Sequence, residues 1–306
     1  VDGRFYSPFG IGQSVFDVPF FVAGHLARTR LGLNIGRSDS LEKAAVALSR
    51  AVAAAGLVWV VFLFAWRLSG QLHGAVWTAL AVGFSTLIWP YSKFGFNAPL
   101  TAWCVLAGVQ AAWVGVRTDR RSLIGWSGVW LGCAFLTRHE MALAAAGIAA
   151  WILFESAGRW SRAREHLTWF AAPLGAAGLL WVWYNLIRFG SAFSTGYAGD
   201  PGYMPHGPLE GIYGLLLSPG RSLFLYVPLA AAAPVAMASL ARRDRPTAAL
   251  LAALQEFHTT NPLVQGRDME ELRDRLPVRI PARLFRAFTD RLERENIVAR
   301  EGSLLR

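Results

Sequence analysis

Cysteine is almost absent from this sequence: 306 residues contain two, Cys104 and Cys133, each inside a long apolar run. Two such cysteines exclude a disulfide framework and a zinc site, and both are expected to be small buried hydrophobes. Histidine is scarce as well, and His139, His166, His206 and His258 fall in separate segments with no acid or second histidine at ligand spacing, so no metal site is expected. Charged residues make up only 16% of the chain against 54% hydrophobic, with 13 Trp, which excludes an ordinary soluble domain of this length. No glycine-rich phosphate loop ending in Lys-Ser or Lys-Thr occurs, so no nucleotide site of that type is expected. The chain opens at Val1 without a charged segment leading into a short apolar one; no signal peptide is expected, and the sequence reads as a fragment.

The charge that does occur is basic and unevenly placed. The formal net charge is +10; residues 1–246 hold 20 Lys and Arg against 11 Asp and Glu, whereas residues 247–306 hold 10 against 9. The excess therefore belongs to the apolar part, which argues for a membrane rather than a nucleic acid as its partner. Apolar runs at 44–66, 72–89, 99–116, 122–137, 141–155, 167–187 and 222–240 predict about seven spans. Ahead of them, Gly3–Phe20 is a loop of Tyr, Phe, Gly and Pro suited to a membrane surface, with Gln13 or Ser14 placed to cap a helix. Residues 14–30 carry Asp17, Pro19, His25, Arg28 and Arg30, too many polar groups for a span, and predict a helix lying in the interface, with Asp17 as a cap or interfacial residue.

Orientation follows from the short connections. Arg67, then Arg117, Arg120 and Arg121, then Arg159, Arg162 and Arg164, then Arg242, Arg243 and Arg245 fall on one side, expected to be the cytoplasm. The basic residues between Arg4 and Lys43 run against this segregation unless an interfacial helix holds them at lipid phosphates. Opposite lie WPYSKFGFNAP (89–99), LTRHE (136–140), YNLIRFGSAFSTGY (184–197) and LLLSPGRSLFLYVP (215–228), with isolated cations Lys93, Arg138, Arg188 and Arg221 among aromatic, Gly and Pro residues. Cations placed this way are either snorkelling anchors at helix ends or a grip on a lipid-linked phosphate.

The ordered set VDGRFYSPFGIGQSVFDVPF, WPYSKFGF, LTRHE, NLIRFG with a following GY, and LLLSPGRSLF resembles bacterial multi-pass glycosyltransferases of the GT-C class over residues 1–243. That group includes lipid-carrier-dependent mannosyl- and arabinosyltransferases. The resemblance implies inverting sugar transfer from a polyprenyl-phosphate donor to an acceptor at the outer face of the bacterial inner membrane, with a carboxylate as general base and cations steadying the departing phosphate. Carried onto this chain, it implies Asp2 and Glu140 as candidate catalytic acids, Glu140 being equally readable as half of an ion pair with Arg138. Arg4, Tyr6, Lys93, Arg138, His139, Arg188, Tyr197 and Arg221 become substrate-binding candidates. In the family the best-known catalytic acid lies in the first outer loop, ahead of the part retained here, so an incomplete enzyme is expected. Ala98 also stands where related sequences carry an acid before the proline, Pro99 here. No cofactor is implied beyond the lipid-linked sugar. Residues 200–206 read as a turn-rich connection or a lid.

Composition changes after Arg242-Arg243-Asp244-Arg245-Pro246. Residues 247–257 predict an amphipathic helix, Asp268 with Glu271 a capping box for a second helix through Leu276, and Pro281 the start of a third with Leu284, Phe285, Phe288 and Leu292 inward. Residues 297–306 read as a hairpin, which completes a winged helix over 247–306. LLAALQEFHTTNPLVQGRDMEELRDRLP followed by LFRAFTDRLERENIVAREGSLLR resembles a winged-helix module of the bacterial selenocysteine-specific elongation factor. That resemblance implies RNA or ribosome contact, for which Arg283 and Arg286 are the candidates; Asp290, Glu293 and Glu295 interleave with the third helix's arginines, so a weak field and an ordinary solvated face are expected. The fold class expected for the whole is mainly α: a polytopic membrane domain with a small cytoplasmic winged helix, or alternatively a translation-factor fragment joined to unrelated membrane sequence.

Overall fold

The computed structural model describes residues 9–33, 39–156, 160–193, 208–219, 222–223, 227, 230, 250, 254, 266–275, 282–294, 298–302 and 304–305. Two compact units form, Val1–Pro228 and Leu229–Arg306. The domain boundary expected between 243 and 247 lies outside the described residues.

The first unit is a stack of helices. α1 (Ile11–Leu31) begins three residues before the first expected cap, with Gly10 in the N-cap position. α2 (Ser40–Ser69) starts behind Asp39, and both helices end on glycines in the left-handed region, Gly32 at φ 65° and Gly70 at φ 69°, where a side chain would be strained. α3 (Leu72–Phe84) and the single turn α4 (Ile88–Tyr91) lead to α5 (Ala98–Arg117), whose start is set by Pro99. α6 (Arg121–Thr137), a 3-10 turn (His139–Met141), α7 (Ala142–Glu155), α8 (Trp160–Phe189) and α9 (Pro208–Leu216) complete the described helices.

Small residues fix how these helices cross. α6 and α8 run parallel, with Gly128 against the Phe170 backbone and Gly132 against Ala177; a Cβ at Gly128 would overlap the Phe170 carbonyl oxygen, and one at Gly132 would lie 2.9 Å from the Ala177 methyl. Gly128 and Gly132 form a G-x-x-x-G pair, the spacing that lets helices approach at backbone distance. α5 packs antiparallel on α6 through Gly108 against Leu131 and Gly115 against Ile124, and α2 runs parallel to α5, with Gly56 under Trp103. The core of this seam is Ile124, Leu131, Ala145, Ile152 and Phe170, with a second cluster of Ala53, Leu100, Cys104 and Ala134. Cys104 is buried as expected, but Cys133 is exposed, because α6 turns Leu131 to α5 and Gly132 to α8 and leaves position 133 on its open side.

Among the described residues three helices are long and apolar enough to cross a membrane: α2, α5 and α8, with mean hydropathies of 2.1, 1.4 and 1.4 over their best windows. α5 is the most enclosed, half of that window being buried. The other expected spans are shorter: α3 has 13 residues, α6 17 and α7 14, the last two cut short by the break at Arg138. At 1.5 Å per residue, even α6 falls a little below the roughly 30 Å of a hydrocarbon core. The run expected at 222–240 lies almost wholly outside the described residues.

α1 packs as a hairpin leg against the first third of α2. Asp17 pairs with Arg50 at 3.0 Å and accepts from the Ser49 hydroxyl at 2.6 Å and the Gln13 amide at 2.9 Å. Two to three turns on, Glu42 receives Arg28 at 2.5 Å and faces His25 at 3.3 Å. Of the polar residues that argue against a span, Asp17, His25 and Arg28 are thus spent on α2, and Asp17 is an inter-helix ion-pair partner rather than a cap.

The second unit pairs a three-stranded antiparallel sheet, in the order β1–β3–β2, with two described helices. β1 (Arg267–Asp268) pairs with β3 (Leu304–Leu305), which pairs with β2 (Arg300–Glu301) in the expected hairpin. α10 (Met269–Arg275) is capped by the Asp268 carboxylate, 2.9 Å from the Glu270 N–H. Glu271 reaches Arg267 at 2.5 Å. α11 (Ala282–Arg294) places Phe285 and Leu292 in a core with Leu250, Leu254, Met269, Leu272, Val298 and Leu305.

Candidate functional site

Helix directions gather one set of helix ends. α6 and α8 finish together, α5 and α7 begin there, and the start of α1 is clamped against the last turn of α6, where Gly10 and Gly12 lie so close to Leu136 and Thr137 that neither has room for a Cβ. Arg188, in the last turn of α8, closes this corner. It is 6% exposed, donates from Nη1 to the Phe9 carbonyl at 3.3 Å, and lies over the Tyr184 and Phe189 rings at 4.3 and 4.5 Å. Its Nη2 is buried and has no hydrogen-bond partner among the described residues. An arginine cannot shed its charge, and burying an unpaired guanidinium donor costs more than leaving it in water. Such a donor can bond an anion or a water molecule.

Around it lie Phe9, Gly10, Phe135, His139, Trp181, Tyr184 and Asn185, which line a narrow cleft with Arg188. Asn185 is spent on the Ala192 carbonyl at 3.2 Å. The break after α6 thus delivers His139 to the cleft, and the last turn of α8 delivers Arg188. Arg138 stands next to them but outside the lining, half exposed, with Nη2 3.4 Å from the Glu140 carboxylate. Burial raises the Glu140 pKa, but its own backbone N–H and Arg138 outweigh that and hold the carboxyl below its ordinary value. Glu140 is therefore ionised at neutral pH and paired.

Lys93 is not brought to this cleft. It is exposed and sits over Trp89 at 4.6 Å. Trp89 and Ser92 instead end a separate groove of about 460 Å³ between α2 and α3, lined by Ala54, Val58, Phe62, Ala79 and Phe84. That groove is larger than the Arg188 cleft but lacks any titratable side chain, so it offers apolar surface and no chemistry. Asp2, Arg4, Tyr6, Tyr197 and Arg221, and the connection 200–206, lie outside the described residues. Among the described residues no group of three His, Cys, Asp or Glu gathers.

Two contacts had no signal at sequence spacing. His166 is 1% exposed and meets Asp119 at 3.0 Å across 47 residues, and Asp17 meets Arg50 across 33. The G-x-x-x-G of α6, by contrast, is a readable signal that the apolar periodicity hides.

In the second unit Arg286 is exposed on α11, and the Arg283 side chain lies outside the description. Nearby cations are paired: Arg300 with Asp290 at 2.8 Å, and Arg273 with Asp274 at 3.1 Å and Glu270 at 3.4 Å. No curated protein and no solved structure matches the chain. A family model does match its end: residues 251–306 are similar to the family described as elongation factor SelB, winged helix.

Proposed function

We propose that the first unit is a GT-C-type membrane glycosyltransferase domain, inverting, with a polyprenyl-phosphate sugar as donor and a hydroxyl-bearing acceptor, and about seven membrane crossings. In this reading the acceptor oxygen attacks the anomeric carbon, the bond from that carbon to phosphate oxygen breaks with its electron pair, and a carboxylate takes the hydroxyl proton. Arg188 and His139 receive the departing phosphate, Arg138 lends charge beside them, and Lys93 with Arg4, Tyr6, Tyr197 and Arg221 extends the donor site. Asp2 or Glu140 is the base; the pairing of Glu140 with Arg138 suits it less to that role. The apolar groove between α2 and α3 gives the prenyl chain a lining of matching chemistry. The site faces the outside of the bacterial inner membrane and the winged helix faces the cytoplasm.

The observation that carries this reading is the buried, unsatisfied Nη2 of Arg188 in a cleft shared with His139. It is tested by native mass spectrometry of the detergent-solubilised chain with a polyprenyl monophosphate and with the matching polyprenol. Binding of the phosphate but not the alcohol is expected; equal binding removes the phosphate grip.

A second reading rests on the winged-helix match at 251–306: a translation-factor module, with RNA or ribosome contact through Arg283 and Arg286, joined to unrelated membrane sequence. Recovery from cells of one polypeptide whose peptides include both the 171–188 and the 276–294 regions tests whether the two parts act together.

A further inference from the structure

At the opposite end of the same helices, two stretches of chain that are far apart in sequence form one basic rim. α5 ends at Arg117, whose guanidinium lies over Trp113 at 4.5 Å. The turn to α6 passes through Asp119, held at φ 53°, a left-handed conformation that a side chain rarely adopts. Asp119 is pinned there by His166 of α8 at 3.0 Å and by Arg162 at 3.7 Å. Arg121, the first residue of α6, pairs with Glu165 at 2.7 Å. These contacts set residues 117–121 against 162–166.

The rim holds five arginines, 117, 120, 121, 162 and 164, against two acids, Asp119 and Glu165. Both acids are already committed, Asp119 to His166 and Arg162, Glu165 to Arg121. The side chains of Arg120 and Arg164 are exposed, and neither guanidinium forms an ion pair or hydrogen bond among the described residues. Two of the three described helices long and apolar enough to cross a membrane, α5 and α8, have their ends here, so a crossing by these helices would put the free guanidinium groups at the depth of lipid headgroups. Trp160, 70% exposed in the first turn of α8, is a residue type that favours the same layer.

We propose that this rim is a binding site for the phosphate of an anionic bilayer phospholipid, gripped by Arg120 and Arg164 on a turn preset by the Asp119–His166 contact. Arginines retained only to orient the chain need charge alone, whereas a phosphate grip uses the fork of the guanidinium, which lysine lacks. The two roles are therefore separable on the full chain.

The test reconstitutes the full chain in phosphatidylcholine nanodiscs with and without phosphatidylglycerol and counts retained phosphatidylglycerol by native mass spectrometry. Wild type should retain it preferentially. Arg120→Gln/Arg164→Gln should weaken retention about fivefold per arginine, equivalent to about 1 kcal/mol each. Because that pair can also disturb insertion, Arg120→Lys/Arg164→Lys is the deciding variant: it keeps the charge and should still lose most of the preference. Full retention by the lysine pair overturns the proposal and leaves the rim an orientation signal; no preference in wild type overturns it outright.

Discussion

At one end of the helical unit a single arginine, Arg188, is enclosed by Tyr184, Phe189 and the Phe9 carbonyl with a donor left over. At the other, Arg121 and Arg162 lie in the open beside Glu165 and Asp119. The residue type is the same, and the surroundings decide what it can do. In water a guanidinium is satisfied by solvent and an ion pair adds little; enclosed by rings and backbone, a donor without a partner among the described residues makes its burial costly. The same side chain is thus enclosed at one end and solvated at the other, although the solvated cluster carries more charge.

The comparison is broken most completely by destroying the seam that holds the ends apart. Gly128→Leu drives a side chain into the Phe170 backbone, and the loss is expected to exceed about 4 kcal/mol, because the clash is with backbone that cannot turn aside without parting the helices. Thermal shift in detergent should show the unit no longer folding cooperatively. An unshifted melt would mean that α6 and α8 do not cross at this glycine.

Charge deletions sharpen the contrast. Asp17→Ala leaves Arg50, only 13% exposed, without its partner at 3.0 Å; about 3 kcal/mol of destabilisation is expected. Arg121→Ala removes a pair with side chains 59% and 37% exposed, and less than about 1 kcal/mol is expected. Equal losses in the two variants would erase the distinction between the ends.

The smallest effect concerns Glu140. Its folded pKa lies below the ordinary glutamate value, so its contribution is present above that value and is lost as pH falls through the folded pKa. With both partners near half exposed, Glu140→Gln should change stability by less than about 1 kcal/mol and flatten only this acid limb of the melt profile. A larger loss at neutral pH would show that Glu140 is more than half of a surface pair.

The sequence made parts of this arrangement readable and left others closed. Apolar runs at 99–116 and 122–137 coincide with α5 and α6 because hydropathy and the arginines at 117–121 bracket them directly. The sequence singles out Arg138 and Arg188 as isolated cations and His139 beside the first; the structure puts Arg188 and His139 along one cleft and leaves Arg138 outside its lining. That Arg138 would turn to Glu140 while His139 and Arg188 shared a cleft depends on how α6 breaks, which spacing does not encode. Lys93 carried the same signal as Arg188 yet sits apart over Trp89, because α4 turns it out to solvent. The Asp17–Arg50 and Asp119–His166 contacts are products of tertiary packing alone. In the winged helix the alternation of Leu272, Phe285 and Leu292 was legible, whereas the two-residue strand at Arg267–Asp268 was too short to announce itself.

The central claim is that Arg188 is held for a phosphate. Titrating the detergent-solubilised chain and its Arg188→Gln variant with a polyprenyl monophosphate, with thermal melts to verify that both remain folded, tests it directly. The account predicts that the variant loses on the order of 2 to 5 kcal/mol of binding free energy, the range for removing one partner of a desolvated charge pair. Unchanged affinity in a folded variant would contradict it and return Arg188 to the role of a helix-end anchor.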